Sequence, residues 1–159
     1  MTQLTRKRIH TVVLIAAGLL AAIAIAVLAV LISQVEDWRR DLTTNFAQTD
    51  DRSPDQRLRP LRASLAPPGL ADRLVEAMQP LTNWHLESRT DESNRIDLHF
   101  VRTTPVMRFK DDIRVRIEAD SAGGSVLNVQ SRSRVGKGDL GQNPRNLREL
   151  LAAVRGAAG

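Results

Sequence analysis

The sequence predicts an α+β protein: a single N-terminal transmembrane helix, then a small domain of about four antiparallel strands covered by two helices. Three observations predict this. Residues 11–32 contain no charged residue, amide or proline. Residues 84–134 hold runs that alternate apolar and polar side chains, the period of a half-buried strand. Stripes at helical spacing stand on either side, around residues 69–79 and 143–154.

The apolar stretch comes first. At about 1.5 Å per residue, roughly 22 residues make a helix about 33 Å long, enough for a hydrocarbon core of ~30 Å. Lipid offers no partner to backbone N–H and C=O groups, so such a stretch must be helical. Arg6, Lys7 and Arg8 precede it with no acidic residue. Basic flanks tend to stay in the cytoplasm, which predicts residues 1–10 inside and the C-terminal domain outside. A cleaved signal peptide fits less well. Its apolar core would be about 7–15 residues, and Leu31, Ile32, Ser33 and Gln34 lack a small-x-small cleavage site.

Of the 159 residues, about 125 follow the anchor, a normal size for one domain. The net charge is +5, of which the N-terminal flank supplies +3. Only +2 is left for the exported part, and aromatic residues are 3% of the chain, so nucleic-acid binding is not expected. There is no cysteine and there are three histidines, a poor basis for a tetrahedral zinc site. No motif implies a cofactor.

Residues 33–68 hold Ser53-Pro54, Arg59-Pro60 and Pro67-Pro68 without clear periodicity, and predict an extended tether partly laid on the domain. The α+β domain is expected over residues 69–156. Its first helix presents Leu70, Leu74, Val75 and Met78 and ends at Pro80. Two strands follow around the Asp91–Asn94 turn. Pairing Leu86 with Leu98 would bury both apolar sets and set His85 opposite His99 on the outside. A third strand should begin at Val106, with a bulge or kink where Asp111-Asp112 breaks the apolar phase. A turn over residues 120–124 leads to the last strand, in which Val115 matches Val129 and Asp112 faces Arg132. Asn143 before Pro144 is a helix start, a side-chain cap followed by a ring that needs no N–H. Leu147, Leu150, Leu151 and Val154 give the final helix its apolar stripe, and residues 157–159 should fray.

The candidate chemistry is thin. Gly136-Lys137 invites comparison with a phosphate-binding loop, but Ser131 and Gly138 stand where that motif needs a glycine and a Ser or Thr. The loop does lead into a helix start near Arg134, Lys137 and Arg145, where an anion or lipid headgroup could sit. Adjacent strand residues point to opposite faces, so Asp111 and Asp112 cannot act as a facing acid–base pair. A structural ion network with Arg108, Arg132 or Arg134 is the expected use of one of them. Ser131 and Ser133 have no histidine in reach.

Ser131, Ser133, Arg134, Gly136, Asp139, Gly141 and Asn143 form the pattern Ser-x-Ser-Arg-x-Gly-x-x-Asp-x-Gly-x-Asn before the final helix. Here the chain resembles the bacterial family called domain of unknown function 1499. Val101 to Thr104, Phe109, Asp111-Asp112 and Val115 also look like that family, as do Asp41 to Thr44 and Leu58 to Leu61 more loosely. The resemblance spans residues 41–154. It implies a membrane-associated envelope domain without established activity, and supplies no catalytic residues. In the family pattern a basic residue stands where this chain has Asn146, and members often have several membrane spans.

The expectation is a non-catalytic binding or scaffold module at the bacterial inner membrane, single-pass, with its folded domain in the periplasm. Its partners would be the bilayer through residues 11–32 and an envelope protein or anionic lipid headgroup. The expected surface combines Arg102, Arg108, Arg132, Arg134, Lys137, Asp139 and Asn143. Asp139 and Asn143 would shape the loop, and the basic residues would make the contact. The alternatives are a carrier of lipid or another apolar ligand between sheet and last helix, and a hydrolase using Asp111, Asp112 or Ser133.

Overall fold

The structure, a computed structural model, describes residues 3–33, 38–105 and 107–157. It divides into two compact units, Met1–Asp37 and Trp38–Gly159. The first holds one helix, α1 (Gln3–Ser33). Its stretch His10–Val30 is long and apolar enough to cross a membrane, and none of it is buried by the rest of the protein.

The second unit begins earlier than expected. Residues 33–68, expected as an extended tether partly laid on the domain, supply helix α2 (Trp38–Thr43), strand β1 (Phe46–Gln48), a 3₁₀ turn (Gln56–Leu58) and strand β2 (Leu61–Ala63). Then come α3 (Pro67–Met78), β3 (Trp84–Glu92), β4 (Arg95–Thr103), β5 (Lys110–Ala119), β6 (Ser125–Ser133) and α4 (Gln142–Ala157). The four long strands are the predicted ones, and β1 and β2 raise the total to six. The order is β1-β6-β5-β4-β3, with β2 also on β6, and every pairing is antiparallel. Strands of three residues carry almost no periodic signal. Here their backbone groups complete the outer edge of β6, which would otherwise stand open.

Alternation along the strands sorts the side chains. Ile96, Leu98, Phe100, Ile113, Val115, Ile117, Leu127 and Val129 point to one face and are buried. Leu70, Leu74 and Met78 of α3, with Leu147, Leu150, Leu151 and Val154 of α4, close over that face. Fully burying one such side chain contributes about 1.5–3 kcal/mol. Pro67 opens α3, where a missing N–H costs nothing, and α4 is held to the 3₁₀ turn by Arg148, whose Nε donates to Asp55 Oδ2 at 2.9 Å.

Three details of register differ from the sequence-based expectation. Leu86 pairs with Phe100, not Leu98, because the strands reverse tightly at Ser93-Asn94, with Glu92 opposite Arg95, and the extra residue at Glu87 shifts the pairing by one; His85 faces Val101, and His99 faces Ser88. The bulge expected at Asp111-Asp112 is absent, since β5 pairs without interruption over Lys110–Ala119. The polar Asp111 simply takes an inward position. The expected strand start at Val106 lies outside the described residues, and β5 begins at Lys110. Val115 does match Val129, and Asp112 does face Arg132.

Candidate binding surface

Two polar groupings lie on opposite faces of the sheet. The first is beneath the start of α4. Asp111, Ser131, Asn143 and Asn146 are buried. Ser131 Oγ donates to Asn143 Oδ1 at 2.6 Å. Asn146 Nδ2 donates to Asp111 Oδ2 at 2.9 Å and to Ser131 Oγ at 3.0 Å. Asn143 Nδ2 donates to Ser133 Oγ at 3.2 Å and to Asp139. Buried polar groups are tolerated when they are hydrogen-bonded, and these bond one another.

Asp139 rather than Asn143 caps the helix. Its carboxylate accepts from the N–H of Gly141 and of Asn143, both at 2.9 Å. Asn143 lies inside α4, which starts at Gln142, and its side chain is spent on the core. The Ser-Ser-Asp-Gly-Asn pattern thus ties the end of β6 to the start of α4. Gly138 belongs to the same lock: a Cβ there would strike the backbone of Asp41 and Leu42.

The second grouping is the open face of the sheet, opposite the face that α3 and α4 cover. Cross-strand partners share a face. The registers therefore line up Ser88, His99, Arg114, Gln130 and Gln48 across five strands. Thr90, Asp97, Arg116 and Asn128 form the next row. Both rows line a concavity of about 640 Å³. Arg116 Nε donates to Asp97 Oδ1 at 3.0 Å. Arg114, at the centre, makes no ion pair or side-chain hydrogen bond among the described residues; its cross-strand neighbours are His99 and Gln130.

Beside this trough is an ion network. Arg134 grips Asp112 with two bonds, Nε to Oδ2 at 2.9 Å and Nη2 to Oδ1 at 2.6 Å. His99 Nε2 lies 2.9 Å from Asp112 Oδ1, and Glu87, turned in by the β3 bulge, lies 3.6 Å from His99 Nδ1. The Arg134 guanidinium, and His99 after it, hold the Asp112 carboxyl below the usual carboxylate range despite partial burial. The partner of Asp112 is therefore Arg134, one pleat along from the Arg132 expected. Arg132 instead lies over the Phe46 ring, 5.3 Å from its centre.

The expected surface is thus divided by the fold. Arg102 points to the helix-covered side, where its Nε donates to Glu149 Oε2 at 3.0 Å and its guanidinium lies over Trp84. Asp139 and Asn143 are structural. Arg132 and Arg134 are on the open face. Arg108, with a positive φ of 56°, and Lys137 are exposed in loops at one end of the sheet. Sequence reasoning missed Arg114, because the acids near it, Asp112 and Asp97, are bonded by Arg134 and Arg116, a cross-strand property that needs the register.

Ser88 stands opposite His99, yet the two ring nitrogens of His99 face Asp112 and Glu87, so neither is available as a base for Ser88. Ser133, one proposed hydrolytic residue, accepts from Asn143. Asp111 is sealed under α4. The described residues contain no cluster of His, Asp or Glu suited to a metal ion.

A family model described as "Protein of unknown function (DUF1499)" matches residues 35–154. No curated protein and no solved structure matches the chain.

Proposed function

The chain belongs to the DUF1499 family, and from that premise we propose that it is a non-catalytic binding or scaffold module held at a membrane by residues 11–32. The setting is the bacterial inner membrane, crossed once, with the N-terminus cytoplasmic and the folded unit periplasmic. The apolar length of α1 and the basic flank at Arg6, Lys7 and Arg8 support that placement. The partner is an acidic group of an envelope protein, seated across the open sheet face.

One observation carries the binding role: among the described residues Arg114 has no acidic partner, and it stands at the centre of a polar concavity on the sheet. An arginine in such a place offers a planar set of donors to a carboxylate. Arg132 extends the same face. The carrier of an apolar ligand is less favoured, because the space between sheet and helices is filled by buried side chains and the concavity lies on the polar side.

Crosslinking the full chain in membranes and recovering its partners tests this reading. Arg114→Glu with Arg132→Glu should abolish recovery of a partner seen with the unaltered chain, without lowering the unfolding temperature much. Recovery unchanged by both substitutions would refute the role of this face. The lack of cysteine allows a topology test too: Ser93→Cys should react with an impermeant maleimide in spheroplasts.

A further inference from the structure

The loops of the folded unit are sharply unlike at the two ends of the sheet. The turns over residues 91–94 and 120–124 hold only Asp, Glu, Ser, Asn, Ala and Gly. At the other end stand α2, the β4–β5 loop and the β6–α4 loop. Hydrogen bonds place them together: Asp139 N–H and Leu140 N–H donate to Asp41 O, Arg134 N–H donates to Lys110 O, and Asn45 Nδ2 donates to Gly136 O.

This end collects every exposed large hydrophobic residue described outside α1. They are Leu42 (52% exposed), Met107 (65%), Phe109 (43%), Val135 (59%) and Leu140 (41%). Basic residues alternate with them, in Met107-Arg108-Phe109-Lys110 and again at Lys137. Single exposed hydrophobics are ordinary, but confinement of all of them to one end is not.

Only residues 34–37 separate Ser33 of α1 from Trp38 of α2 in the sequence, so α2 is the element through which the folded unit is joined to α1. Within the folded unit, the two ends of the ten-residue β5 are roughly 30 Å apart along the strand.

We propose that this end of the folded unit rests on an anionic lipid surface. Met107, Phe109, Val135, Leu140 and Leu42 enter the boundary between headgroups and acyl chains, and Arg108, Lys110 and Lys137 meet the phosphates. Alternating apolar and basic tips match the two layers of that boundary. The inference rests on α1 being a membrane anchor, and it names the surface the anchor's cargo faces.

The test uses the full chain in vesicles of phosphatidylcholine, with and without an equal share of phosphatidylglycerol. Single cysteines at Met107→Cys or Ser93→Cys carry an environment-sensitive fluorophore, and lipids bearing a nitroxide near the headgroup act as quencher. The label at 107 should shift to the blue and be quenched, more strongly with phosphatidylglycerol, and the label at 93 should do neither. Arg108→Gln with Lys137→Gln should reduce quenching at 107 severalfold. Equal quenching at both positions, or none at 107, in chains that resist alkaline extraction would overturn the proposal. Equal quenching in the two lipid mixtures would overturn its anionic character. Chains released by alkali would sink the anchor itself and this inference with it.

Discussion

Asn146 donates an amide hydrogen to the carboxylate of Asp111 at 2.9 Å, across 35 residues of chain and with both side chains buried. The bond joins the first turn of α4 to the inner face of β5. A buried acceptor that loses its donor carries the full cost of its desolvation. Asn146→Leu and Asp111→Leu should therefore each destabilise the folded unit by about 2–3 kcal/mol. Replacing both should cost less than the two together, with a coupling of about 1 kcal/mol or more. Urea unfolding of the four proteins in detergent measures it.

Two adjacent glycines should respond very differently to the same methyl group. Gly123 and Gly124 have φ of 96° and 84°, a region that costs an L-residue about 1–2 kcal/mol. A Cβ on Gly123 would meet open space. On Gly124 it would collide with the carbonyl of Ala63 and come within 2.9 Å of Ser64 Cα, both backbone atoms next to β2. Gly123→Ala should lower stability by about 1–2 kcal/mol, and Gly124→Ala by about 2 kcal/mol beyond that. Thermal unfolding of the two variants gives the comparison.

The Arg134–Asp112 pair predicts a pH dependence. The folded state holds the Asp112 carboxyl below its unfolded value of about 3.9, chiefly through Arg134. The contribution is thus present above about pH 4 and is lost as pH falls through the folded value. Both side chains are partly exposed, so the amount is small. Asp112→Asn should cost about 0.5–1 kcal/mol near pH 7, and the gap to the unaltered chain should close below about pH 4. Urea unfolding from pH 3 to pH 7 checks it.

The long elements were legible because they bury one face. Leu70, Leu74 and Met78 announced α3, and the alternation around Ile113, Val115 and Ile117 announced β5. The short strands Phe46–Gln48 and Leu61–Ala63 were not, since three residues cannot show a period and their role is backbone pairing with β6. The β3 register was misread because neither the tight reversal at Ser93-Asn94 nor the one-residue shift at Glu87 leaves a mark on the apolar pattern. The tight turn sets Ser88, not His85, opposite His99, and its charged neighbours are Glu87 and Asp112. Asp139 shapes the loop through bonds from the N–H of Gly141 and of Asn143, whereas Asn143, expected as the cap, turns its side chain to Ser131 and Ser133.

The double cover of β6 by β1 and β2 has a practical consequence for anyone shortening the chain. A version starting at Gly69, where the sequence first looks orderly, would strip both short strands from a nine-residue ribbon and leave its amides and carbonyls bare. Such ribbons recruit copies of themselves, and the truncated protein would precipitate or form pairs by mutual strand addition. A cut at Trp38 keeps the margin sealed.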